Sequence, residues 1–168
     1  MPGFSMSDFN EYLQLNNLFF FYTLHTNRHP KNLPNNLNRI IFINPSENPL
    51  FDINEFMMEV DILLNDYSTT STDFSILNRP QIFFMPDYDL YNSTKFFVEP
   101  YREILPGDEV CNYEDFLKTI SYASLNTKNY INKHSKVIKL IQEKYYDTRY
   151  NNSTAKLYDF ICDILPQK

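Results

Sequence analysis

Five hydroxyl side chains in a row, Ser68, Thr69, Thr70, Ser71 and Thr72, stand between Asp66 and Asp73 in the stretch DILLNDYSTTSTDFSILNRPQIFF, residues 61–84. Where a strand turns into a helix, such hydroxyls can hold a phosphate or diphosphate. The first amides of a helix lack internal partners and carry partial positive charge, so an anion beside them is stabilised. Asp66 and Asp73 could each orient a hydroxyl or bind a ribose. The plainer reading is that one hydroxyl caps the helix, the others meet solvent, and the two carboxylates are a turn former and a surface charge; residue types alone leave both open. His25, at the end of the apolar run LFFFYTLH (residues 18–25), could contact a phosphate or move a proton, because an imidazole titrates near neutrality. His29 competes for that role, and His134, on a lysine-rich helix face, is expected to be solvated. With two glycines in the whole chain, neither a P-loop nor a GxGxxG turn is available.

The elements that must position these groups follow from the apolar spacing. Short, nearly continuous apolar runs at 18–25, 39–44, 62–65 and 81–85 read as strands, the first of them buried. Helical spacing recurs at 53–60 and at 68–78, where Pro80 forbids continuation. Further helices are expected at 113–124, 130–146 and 153–165, the last with Ser153 as its cap. The segment 86–110 is rich in aromatics but shows little periodicity, and its aromatic content argues against disorder. Strands alternating with helices give an α/β fold, a parallel sheet with helices on both faces, Rossmann-like. In such sheets ligands lie beyond the carboxyl ends of the strands, which is where His25 and residues 66–70 fall.

Composition narrows the function classes. A formal net charge of -6 and a pI near 5.0 exclude a general nucleic-acid binder, which needs a basic face to neutralise phosphate. Cys111 and Cys162 lack metal-site or redox spacing, and nothing calls for a metal or a cofactor. No apolar run reaches the roughly 20 residues needed to span a bilayer, and no signal peptide is visible. The expectation is one domain over residues 1–168 in the cytoplasm.

The stretch 61–84 resembles the ADVLITDYSSVxFDFALLNKPIIFY signature of the CDP-glycerol glycerophosphotransferase family, the polymerases and primases of teichoic acid and related capsule polymers. The likeness continues in order. LFFFYTLH resembles the strand that ends in Lys-x-His-Pro, and FDINEFMMEVD resembles the helix leading into the motif. YREILPGDEVCNYEDFLKTI resembles the Leu-Pro-Gly-Pro strand and following helix, and YYDTRYNNSTAKLYDFI the closing segment. The resemblance implies the C-terminal half of a GT-B fold, a domain that holds a CDP-linked polyol donor. It places Asp66, Ser68, Thr69 and Thr70 beside the donor diphosphate, with Asp73 on the supporting helix.

His25 matches the family histidine by strand position, with Thr26 where the family has proline; His29 keeps the His-Pro pair four residues later. Lys95, in STKFF, stands where the family has an Arg-Gly pair, keeping the charge but losing the forked geometry of arginine. The family's opening strand should precede Phe9, where only MPGFSMSD remains, and its N-terminal acceptor domain is missing. The implied reaction moves a polyol phosphate to a hydroxyl of a polymer or lipid-linked acceptor, with the chain peripheral at the inner membrane face. A missing acceptor domain or a partner chain would complete the site, and this chain alone is expected to be inactive. The rival expectations are half of a GT-B nucleotide-sugar glycosyltransferase and a degenerate, non-catalytic interaction module.

Overall fold

The computed structural model describes residues 4–23, 36–45, 47, 50–94, 100–146 and 152–165. His25, His29 and Lys95 lie outside the described residues. Strands β1 (Phe20–Thr23) and β2 (Ile40–Ile43) pair in parallel, with Phe20 opposite Ile40. Strands β3 (Leu63–Asn65), β4 (Gln81–Phe84) and β5 (Asp108–Val110) form a second parallel sheet in that order. Leu63 stands opposite Gln81, and Ile82 opposite Asp108. The expected class, parallel strands with helices, is what is found, although the described strands form two sheets rather than one.

Side-chain alternation along β4 explains how both faces of the larger sheet are covered. Ile82 is buried and joins a core with Phe9, Leu13, Val110, Phe116 and Ile120, and Phe84 meets Phe116 at 6.2 Å between ring centroids. That face belongs to α1 (Met6–Leu15) and α5 (Tyr113–Leu125). On the other face, Gln81 bonds to α3 (Thr70–Phe74), and Phe83 meets Tyr101 edge-on. The long α6 (Thr127–Tyr145) joins the sheet through Tyr130, and its Gln142 Nε2 donates to the Ser75 carbonyl at 2.8 Å.

Several local expectations are corrected. α1 was not evident from the sequence, yet Ser5 caps it by accepting the Asp8 N–H, and its Phe9 and Leu13 are core residues. β1 is not buried: Phe21 and Tyr22 are exposed, because β2 alone pairs with it among the described residues. The aromatic segment contains α4 (Tyr88–Thr94), a 3-10 turn at Tyr101–Ile104, and β5. α2 (Ile53–Met57) is a short helix capped by Asp52. α7 (Ser153–Ile164) has Asn152, not Ser153, at its cap position, and none of its residues is buried. His134 is not solvated: its side chain is 12% exposed, because it lies against the Tyr130 ring and 3.2 Å from Asp108.

At the amino ends of β4 and β5 the backbone leaves no room. A Cβ on Gly107 would lie 1.9 Å from the Gln81 carbonyl oxygen and 2.6 Å from its carbon. Both are main-chain atoms, so no side-chain rotation relieves the clash. The same carbonyl accepts the Tyr130 hydroxyl at 2.7 Å, and that hydroxyl accepts the Asp108 N–H at 2.9 Å. Gly107→Ala should therefore cost at least the 1–3 kcal/mol typical of an overpacked core, read as a lower urea midpoint.

His134 and Lys133, the latter at 2.6 Å, hold the Asp108 carboxyl below the ordinary aspartate range. A lowered folded value means that the stabilisation is present above the unfolded value of about 3.9 and is lost as pH falls through the folded one. Asp108→Asn should remove that part of the acid limb of a stability-against-pH curve.

Candidate phosphate-binding site

The hydroxyl turn lies at the carboxyl end of β3, as its place in the chain suggests. Asn65, buried at the strand's last position, donates through Nδ2 to the Ser68 carbonyl at 2.9 Å and so folds the chain back on itself. Asp66 Oδ1 accepts the Tyr67 N–H at 2.6 Å. Ser68 Oγ lies 2.9 Å from Thr70 Oγ1 and accepts the Thr70 N–H at 3.3 Å, closing a turn just ahead of α3. Thr69, at the cap position of α3, makes no side-chain cap bond.

The row of hydroxyls divides into two groups. Ser68 and Thr69 are exposed and Thr70 is half-buried, so these three are open to a ligand. Ser71 and Ser75 are buried, and their work is structural. The Ser71 carbonyl accepts both Ser75 Oγ at 2.8 Å and Gln81 Nε2 at 3.1 Å, while Gln81 Nε2 also donates to Ser75 Oγ. This network seats α3 on the start of β4. Asp73 accepts a hydrogen bond from the Tyr146 hydroxyl, which ties α3 to the end of α6.

α3 is only five residues long and continues as a 3-10 turn, Ser75–Leu77, that ends at Asn78 in a left-handed conformation. So short a helix carries a small dipole, and the hydroxyls and loop amides must supply most of any hold on an anion. Acidic groups surround the turn. Asp66 and Asp87 flank Tyr67, and burial followed by the Asp87 hydrogen bond pushes the Tyr67 hydroxyl well above its ordinary value. Arg102 is committed to Glu109 by a two-pronged contact at 2.9 and 2.6 Å, with its guanidinium over the Tyr88 ring. Among the described residues no group of three or more His, Cys, Asp or Glu side chains converges as a metal site, and no helix is long and apolar enough to cross a membrane.

Of the residues singled out from the sequence, Asp66, Ser68, Thr69 and Thr70 come together at the turn, with Asp73 behind it. His25, His29 and Lys95 fall outside the described residues. Sequence reasoning passed over Tyr67, Asp87 and Tyr101, which brace the turn. Tyr67 lay inside the quoted motif, and the density of aromatics in 86–110 was the other available signal.

A sequence profile of the family described as CDP-Glycerol:Poly(glycerophosphate) glycerophosphotransferase matches residues 2–163. The teichoic acid glycerol-phosphate primase of Bacillus subtilis (strain 168) is 30% identical over 116 residues, which are 69% of this chain and 27% of that protein. The teichoic acid ribitol-phosphate polymerase TarL of Staphylococcus aureus (strain NCTC 8325 / PS 47) is 28% identical over 88 residues, 51% of this chain and 16% of that one. Among solved structures, a variant of the wall teichoic acid polymerase TagF superposes with a TM-score of 0.69 at 22% identity, covering 96% of this chain and 39% of the polymerase chain. A TagF variant soaked with CDPG gives 0.57 at 25% identity over 73% of this chain and 29% of that one. The chain thus spans well under half the length of these relatives.

The bonding at the turn separates two hydroxyls. Ser68→Ala should cost about 1 kcal/mol of stability in urea unfolding, the usual net worth of one hydrogen bond. Thr69→Ala should stay within about 0.5 kcal/mol of the parent, as surface substitutions do.

Proposed function

The chain belongs to the CDP-glycerol:poly(glycerophosphate) glycerophosphotransferase family, and from that premise we propose that it is the donor-binding half of a polyol-phosphate transferase. The observation that carries this reading is the coincidence of the family match with open hydroxyls at the carboxyl end of β3, where a parallel sheet offers its ligand site. The donor is a CDP-linked polyol and the acceptor a hydroxyl of a teichoic-acid-like polymer, lipid-linked at the inner membrane face. The acceptor oxygen bonds to the polyol-bearing phosphorus as the bond from that phosphorus to the oxygen it shares with CMP breaks. CMP leaves with the electron pair, and a base on the acceptor half takes the hydroxyl proton.

Roles follow from the chemistry available. Ser68 and Thr69 donate hydrogen bonds to the diphosphate, and Thr70 supports Ser68. A diphosphate beside Asp66 would be repelled by its carboxylate, so Asp66 serves better as an acceptor for a ribose or polyol hydroxyl. With Arg102 already paired, positive charge for the phosphates comes from Lys95 and from His25 or His29. Phosphoryl transfer depends on positioning and charge neutralisation, so half a site binds donor without turning it over efficiently.

A second half, an N-terminal acceptor domain or a partner chain, supplies the acceptor side. The family relatives have room for it, because this chain covers 27% of the primase. α7 supports the same reading: Leu157, Tyr158, Phe160, Ile161 and Ile164 are all exposed, whereas Lys156, Asp159 and Asp163 share the opposite side of the helix. An amphipathic helix of that kind has an apolar stripe to cover.

Calorimetry with CDP is the test. The folded chain should bind CDP weakly, and Ser68→Ala combined with Thr69→Ala should lower affinity about 100-fold or more, since each bond to a charged group is worth about 1.5–3 kcal/mol. The unfolding free energy should fall by only about 1 kcal/mol, the net worth of the one turn hydrogen bond that Ser68 makes. A folded wild-type chain that gives no heat and no melting shift with millimolar CDP would remove the reading.

A further inference from the structure

Tyr67 occupies the middle of the turn but is turned away from the hydroxyl row. Its ring stacks on Tyr91 of α4, with centroids 3.8 Å apart and planes 15° from parallel. Its hydroxyl donates to Asp87 Oδ1 at 2.8 Å, one residue before α4 begins. Its own backbone is held from two sides: the Tyr67 N–H donates to Asp66 Oδ1, and the Asp66 carbonyl accepts the Tyr101 hydroxyl at 2.7 Å. Tyr101 in turn sits edge-on to Phe83 in the sheet. α4 has no buried residue, and Arg102 stacked over Tyr88 at 3.8 Å is its other described aromatic attachment. Tyr67 is therefore the joint at which the hydroxyl turn, α4 and, through Tyr101, the sheet meet.

We infer that Tyr67 is a positioning residue for the donor turn: gripping α4 with ring and hydroxyl, it fixes the backbone from which Ser68 and Thr69 present their own hydroxyls. The inference rests on the donor-site reading above and adds a residue to it. Tyr67 is one residue from Ser68, so a rotation of its backbone swings the Ser68 side chain with it. A ring stacked on one side and hydrogen-bonded at its tip leaves that backbone one orientation. Burial and the neighbouring Asp87 keep the hydroxyl protonated well beyond neutral pH, so the donor in that bond persists.

Two measurements on the full chain separate this inference from the reading on which it rests. Amide hydrogen exchange, without ligand, compares wild type with Tyr67→Leu and Tyr91→Leu. Protection should fall at residues 66–70 and 88–94 in both variants, while β4 and α6 keep theirs. Unchanged exchange overturns the joint whatever CDP does.

Calorimetry with CDP then compares the same proteins. Both leucine variants should bind about tenfold more weakly, the size of a lost ring stack. Tyr67→Phe, which keeps the stack, should lose about threefold or less. Tyr91 lies on α4 and outside the hydroxyl row, so equal losses from both sides of the stack point to positioning rather than donor contact. If exchange rises locally but CDP affinity is unchanged, the joint exists and does not position the turn, and the inference fails. If the wild-type chain itself binds no CDP, the donor-site reading fails and takes the positioning role with it, while exchange still decides the joint.

Discussion

The close approach of Gly107 to the Gln81 carbonyl is the constraint on which the larger sheet depends. Glycine alone lets β5 start against β4 at that distance, and the shared carbonyl then takes the Tyr130 hydroxyl, which holds α6 to the same point. Because the Tyr130 hydroxyl also accepts the Asp108 N–H, one phenol satisfies two buried main-chain groups that would otherwise each cost about 1–3 kcal/mol. The Gln81 side chain, on the opposite side of its own backbone, secures α3 through Ser71 and Ser75. Strand, crossover helix and covering helix are thus fixed at the amino end of the sheet. Among the described residues, the carboxyl end of β3 is followed by the exposed Asp66, Ser68 and Thr69.

The described residues proposed to bind a ligand lie at that end of the sheet. The turn after β3 inherits its place from the β3–β4 register and from Asn65, which closes the chain onto Ser68. Of the five consecutive hydroxyl residues, Ser71 is buried and helps to seat α3 through its carbonyl, while Ser68 and Thr69 face solvent, so the same run of residues serves structure and site. The aromatic cluster of Tyr67, Tyr91 and Tyr101 adds stiffness where polar residues alone would leave a mobile loop. Its acidic surroundings mean that an anionic donor needs cations from outside the described residues, which is consistent with a site shared among several segments.

Much of this was legible in the sequence, for identifiable reasons. The strands at 62–65 and 81–85 and the turn between them were marked by apolar runs, a crowd of hydroxyls and Pro80, all local signals. α1 carries Phe9, Tyr12 and Leu13 at helical spacing, but no motif marks it, and its meaning lies in long-range burial of Phe9 and Leu13 against α5. α4 was missed because it buries nothing of its own and depends on a stack with a residue in another loop. The aromatic content of β1 predicts burial, whereas its exposure depends on neighbouring strands that composition does not reveal. His134 was misjudged for the opposite reason: a lysine-rich helix face hid one position that points to Asp108 and Tyr130.

The central claim is that the outer hydroxyls of the turn, and not another surface, receive a cytidine diphosphate. Amide chemical-shift mapping by nuclear magnetic resonance tests it most directly, because the turn's own N–H groups report on a bound anion. Titration with CDP should move the Asp66, Ser68, Thr69 and Thr70 amides progressively and together, with smaller changes at Tyr67 and α4 and none at the amino ends of β4 and β5. Shifts confined to another face, or a turn that stays silent while others move, would contradict the account.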